Sequence, residues 1–74
     1  MGEMAIMDGS GDTKIMWSKA NRDEVANAQR TFDDLVRKGH QAFTVKPDGE
    51  AGERVTTFNA DLEKIILIPR MVGG

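Results

Sequence analysis

The chain has 74 residues, enough for one domain at most. At that size about 60% of the unfolded surface is buried on folding, which leaves marginal stability and little volume for a deep enzymatic cleft. Ten basic residues against twelve acidic ones give a net charge of −2, which argues against a general binder of phosphate backbones. The absence of cysteine excludes thiol nucleophiles and thiolate metal sites. It also points to a reducing cytoplasm, because small secreted domains are usually stapled by disulfides.

No run approaches the roughly 18 apolar residues of a membrane span. The start, Met1 to Met7, lacks the basic region and long apolar core of a signal peptide. Met4-Ala5-Ile6-Met7 reads either as a short strand or as part of a flexible leader. Asp8-Gly9-Ser10-Gly11 is a turn cluster whose glycines suit positive φ. It lacks the Gly-Lys-Ser/Thr order of a phosphate-cradling loop, and no helix follows directly to supply a dipole. Asp12 to Ser18 then alternates, with Thr13, Ile15 and Trp17 on one face and Lys14, Met16 and Ser18 on the other. Period two predicts a half-buried strand, so the two segments read as a hairpin.

Asn21 opens the one clear helix as an N-cap, with Glu24 three residues on as in a capping box. Asp23 and Glu24 suit the positive end of the helix dipole, Arg37 and Lys38 suit the negative end, and Gly39 is the expected residue just past the C-cap. Val25, Ala28, Phe32, Leu35 and Val36 form one apolar stripe, so the helix packs on one surface, most simply one face of a sheet. Asp33 and Asp34 are adjacent, point to different faces, and read as a solvated pair rather than a catalytic dyad. Arg22, Arg30 and Arg37 share a flank but are interleaved with acids, so no basic stripe for nucleic acid is expected. His40, the single histidine, follows the helix end and has no serine or cysteine placed to make it a base.

His40 to Lys46 reads as a strand with Phe43 and Val45 on one face and Ala42 and Thr44 on the other. Pro47-Asp48-Gly49 is a turn, and the loop runs on to Gly52. Glu53 to Phe58 returns as the hairpin partner, and Asn59 to Glu63 reads as a capped single helical turn with Leu62 inward. Asp48, Glu50 and Glu53 do not follow the spacing of a calcium loop, so neither metal nor cofactor is assigned.

Lys64 to Ile68 is the final strand, and it does not alternate. Continuous apolar character marks a central strand. One helix covers only one face, so part of Ile65, Ile66, Leu67 and Ile68 is expected to face outward, where exposed aliphatics mark a docking surface. The strand runs into Pro69-Arg70-Met71-Val72-Gly73-Gly74. Residues without Cβ are narrow and tolerate unusual dihedrals, which lets such a tail thread a tight channel.

The predicted architecture is α+β, a mixed four- to five-stranded sheet with one helix packed across one face, in the order β-β-α-β-β-β. The last strand is expected at the centre beside the first. This order, the length and the diglycine end resemble the β-grasp, ubiquitin-like family, and the last seven residues are similar to the ends of the sulfur-carrier proteins of the molybdopterin synthase small-subunit type. Two features depart from that pattern: Pro69-Arg70 stands where sulfur carriers often have two prolines, and the loop from Pro47 to Gly52 is longer than the tight turn of ubiquitin.

The resemblance implies one ubiquitin-like domain over residues 1–74, with 70–74 a flexible tail. It implies a substrate rather than an enzyme: a partner adenylating enzyme activates the Gly74 carboxylate, Gly73 and Gly74 carry the chemistry, and Ile66, Ile68, Pro69, Arg70 and Met71 meet the partner. The alternative is a small non-enzymatic interaction module, such as a phage or mobile-element accessory or structural protein, that binds a partner through its sheet.

Overall fold

The computed structural model describes residues 1–8 and 11–69. The elements are β1 (Gly2–Asp8), β2 (Gly11–Trp17), α1 (Arg22–Arg37), β3 (Gln41–Val45), β4 (Ala51–Val55) and β5 (Lys64–Ile68). They form one α+β unit in which a five-stranded sheet of order β2-β1-β5-β3-β4 carries the helix on one face. The sheet is mixed: β1 and β5 are parallel, and the β1–β2, β3–β5 and β3–β4 pairs are antiparallel. The last strand therefore lies in the middle of the sheet, with β1 on one side and β3 on the other.

The first segment is a full strand and extends beyond Met4 to Met7 at both ends. The apolar run alone does not indicate the extension, because it begins at Gly2, where the reason is tertiary. Gly2 faces Trp17 across the hairpin and is covered by the indole, and a Cβ at Gly2 would collide with the ring. Trp17, 1% exposed, is held there by a hydrogen bond from its Nε1 to the Ala60 carbonyl at 3.1 Å. Its ring meets Phe58 edge-on at 5.1 Å, and Phe58 meets Phe32 of the helix at 5.9 Å. Such edge-to-face pairs are favourable beyond their buried area.

The helix begins as its sequence signals indicate. The Asn21 side chain accepts from the backbone N–H groups of Asp23 and Glu24, at 3.1 and 3.2 Å. Glu24 departs from a capping box: its carboxylate accepts from the Ser18 N–H at 2.8 Å, while the Asn21 N–H donates to the Ser18 carbonyl. The box thus reaches three residues further back and ties the helix start to the end of β2. At the other end Gly39, at φ 107°, lets the His40 N–H turn back to the Leu35 carbonyl, closing the helix by the route glycine favours. Ala28 and Phe32 are buried on the inward stripe, and Val25, Leu35 and Val36 pack beside them.

The second hairpin corrects two expectations. β4 spans Ala51–Val55, not Glu53 to Phe58. Pairing resumes at Ala51 opposite Val45, directly after a turn in which the Lys46 N–H donates to Glu50 and Gly49 adopts φ 90°. The expected loop beyond Gly49 is correspondingly short. Phe58 leaves the strand because its ring is needed between Trp17 and Phe32. The register shifts between Phe43 and Val45, and there the Thr44 hydroxyl accepts from the Glu53 N–H at 2.9 Å. Asn59 to Glu63 is likewise not a helical turn. The Asn59 side chain accepts from the Asp61 N–H and its carbonyl from the Leu62 N–H, a side-chain-closed turn that needs no helix. Leu62 packs against the core as expected.

Candidate docking face and the exit of the last strand

Strand alternation divides the sheet into two faces. Met4, Ile6, Ile15, Trp17, Ala42, Val55, Ile65 and Leu67 meet the helix and make the core. The opposite face has no element over it among the described residues, and its side chains follow from the register. One row crosses all five strands: Lys14, Ala5, Ile66, Phe43 and Arg54. Beside it Met16, Glu3 and Lys64 form a second row. Ile68 stands opposite Gln41 at the end where the chain leaves the sheet.

This face has an apolar centre and charged flanks. Ile66 and Phe43 are half-buried, Met16 is 55% exposed and Ile68 is 37% exposed. Small Ala5 leaves a dent beside Ile66, part of a shallow groove of about 260 Å³ that Met7, Lys14, Val45 and Lys64 also line. The Glu3 carboxylate lies between two lysines, 3.9 Å from Lys14 and 3.7 Å from Lys64. The lysine ends of both pairs are exposed, so solvent screens them and they add little to stability.

Of the expected partner-binding residues, the structure brings Ile66 and Ile68 onto this open face and places Pro69, half-buried, directly after β5. Arg70, Met71, Gly73 and Gly74 lie outside the described residues, as does the expected tail over 70–74. The face also recruits residues that sequence reasoning did not assign to it: Ala5, Lys14, Phe43, Arg54 and Lys64. Alternation was visible within β2 and β3, but which of the two faces looked away from the helix was not, because that depends on register across strands. Val36, Gly39, His40, Gln41 and Arg54 line a separate shallow cavity at the helix end. The most voluminous of the described cavities, about 690 Å³, is a solvated flank of the helix that includes Arg30, Asp33 and Arg37. Neighbouring Asp34 is engaged by Lys38 one turn on, at 3.2 Å.

Among the described residues there is no group of three or more acidic or histidine side chains placed to hold a metal, and no buried side-chain polar atom without a partner. No described helix is long and apolar enough to cross a membrane. No family model, curated protein or solved structure matches the chain.

Proposed function

We propose that this chain is a β-grasp, ubiquitin-like carrier whose Gly73-Gly74 end, with Gly74 as the last residue of the working protein, is activated by a partner adenylating enzyme. The observation that supports this reading is the position of β5. A central strand, hydrogen-bonded on both sides, delivers the chain to Pro69 at the end of the sheet with Ile66 and Ile68 on the open face beside the exit. A partner gripping that face meets the segment that leads to the diglycine. The chemistry follows from the carboxylate. Attack of the Gly74 carboxylate on the α-phosphorus of ATP releases pyrophosphate and forms an acyl-adenylate. Hydrosulfide or an amine then attacks the acyl carbon and displaces AMP with loss of a proton, leaving a thiocarboxylate or an amide. The nucleotide site and the catalytic groups belong to the partner, so the chain is a substrate and not a catalyst, and it works in the cytoplasm.

A second reading, an interaction module that binds through its sheet, is favoured by one specific observation: among the described residues nothing covers the Lys14–Ala5–Ile66–Phe43–Arg54 row, which crosses all five strands. Intact-mass spectrometry of the protein from its native host, together with deletion of Gly73 and Gly74, separates the two. A carrier shows a sulfur-for-oxygen exchange or attachment to another protein, and the deletion abolishes both with the fold intact. An unmodified mass, with partner binding unaffected by the deletion, sinks the carrier reading and leaves the module.

A further inference from the structure

The sheet ends on two strands, and they are not alike. β4 is five residues long, carries Gly52 and sits beside the register shift in β3, features that blunt an edge against further pairing. β2 is seven residues long and pairs with β1 without a break in register, so its outer side presents a row of backbone donors and acceptors with no strand against them among the described residues. Two charges of opposite sign, Asp12 and Lys14, stand two residues apart on its outward face, and both are exposed. A lone lysine at such an edge repels a second copy. An Asp and a Lys in this spacing do the reverse.

We propose that β2 pairs antiparallel with β2 of a second copy of this chain, about a two-fold axis at Thr13, continuing the sheet from five strands to ten. Antiparallel pairing about a two-fold normal to the sheet keeps each face on its own side, so only registers that place outward residues opposite outward residues are open. Centring on Asp12 or Lys14 sets that charge against its own copy. Centring on Thr13 sets Asp12 opposite Lys14 of the second copy and Lys14 opposite its Asp12, two opposite-charge pairs on one face. On the helix side Thr13 meets Thr13 of the second copy, a favourable pair. Half-buried Ile15 then lies opposite Gly11 of the second copy, where the space beside the Gly11 Cα is open. The contact is small, so the dimer is weak and concentration-dependent. It leaves the Ile66 and Ile68 end of the open face uncovered, so it stands whether or not the carrier reading does.

The chain has no cysteine, so one introduced thiol reports the axis directly. In the proposed register Thr13→Cys sets two thiols on adjacent strands with Cα atoms about 4.5–5.5 Å apart, within the span of a disulfide. Met16→Cys, also exposed, sets its two thiols about 20 Å apart, six residues along the pair. Under mild oxidation Thr13→Cys is expected to cross-link at least about tenfold faster than Met16→Cys. Sedimentation of the unmodified chain is expected to show the mass rising from 8.1 kDa towards twice that value with concentration. Lys14→Glu and Asp12→Lys each abolish the rise, and mixing the two variants restores it, because both cross-strand pairs are then again opposite in sign. Circular dichroism checks that each variant is folded; if Lys14→Glu, which also faces Glu3, is not, Asp12→Lys carries the test. Equal cross-linking of the two thiols, a monomer up to about 1 mM, or association untouched by either charge reversal overturns the proposal.

Discussion

Ile65 and Leu67 are 1% and 0% exposed, while Ile66 is half-buried and Ile68 is 37% exposed. Four aliphatic residues in a row, of nearly equal hydrophobicity, thus have two fates decided by a single alternation. The helix-side pair lies among Met4, Ile6, Ala42 and Phe32 and makes the core. The outward pair lies on the open face, Ile66 in the row that ends on Lys14 and Arg54 and Ile68 opposite Gln41. The difference teaches that the hydrophobic content of this strand is shared between stability and surface, and that the two uses are separable by mutation.

The largest effect is expected on the helix side. Phe32→Ala removes a wholly buried ring that Phe58 packs against, and should cost about 3–5 kcal/mol, with Leu67→Ala at about 2–5 kcal/mol. Denaturant melts measure both, and in a domain this small either loss leaves little or no folded protein at ambient temperature. A loss below about 1 kcal/mol for Leu67→Ala would show that β5 does not divide as described.

Next comes the glycine under the indole. Gly2→Val has no room beside Trp17, so the ring must move away from Ala60 and Phe58; overpacking of this kind costs about 1–3 kcal/mol. Tryptophan fluorescence should shift to the red as the ring gains water, and an unchanged spectrum would place the indole elsewhere. Trp17→Phe keeps most of the apolar volume but leaves the Ala60 carbonyl without its donor, at about 1–3 kcal/mol.

Asn21→Ala strips the cap from two backbone N–H groups at the helix start, and should cost about 1 kcal/mol. At about 4–8 °C per kcal/mol for domains of this size, a melting curve resolves it. The smallest stability effect is expected on the open face, where Ile68→Ser should change stability by no more than about 0.5 kcal/mol. If the open face is the docking surface proposed above, the same substitution, and Ile66→Ser beside it, weakens capture of the partner in a pull-down while the fold is kept. Equal losses of stability at Leu67 and Ile68 would erase the distinction between the two faces.

Much of the local structure was legible from residue patterns because its causes are local. The helix follows from Asn21, from the stripe Val25, Ala28, Phe32, Leu35 and Val36, and from Gly39, all acting within a few turns. The turn at Pro47 to Gly49 rests on backbone preferences of the same short range. The β4 boundary was not legible, because Phe58 answers to Trp17 and Phe32, partners distant in the chain. Nor was the membership of the open face, since Ala5, Ile66 and Phe43 become neighbours only once β5 is inserted between β1 and β3.

By itself the sequence determined where the chain turns, where its helix starts and stops, and that its last strand is too apolar to lie at an edge. Short-range dihedral preference, capping and periodicity suffice for those. Tertiary structure alone decided which side of each strand faces the helix and why Gly2 must be glycine, and it alone joined Lys14, Ala5, Ile66, Phe43 and Arg54 into one row. Register between strands far apart in sequence is set by packing across the whole sheet, and no local run of residues encodes it.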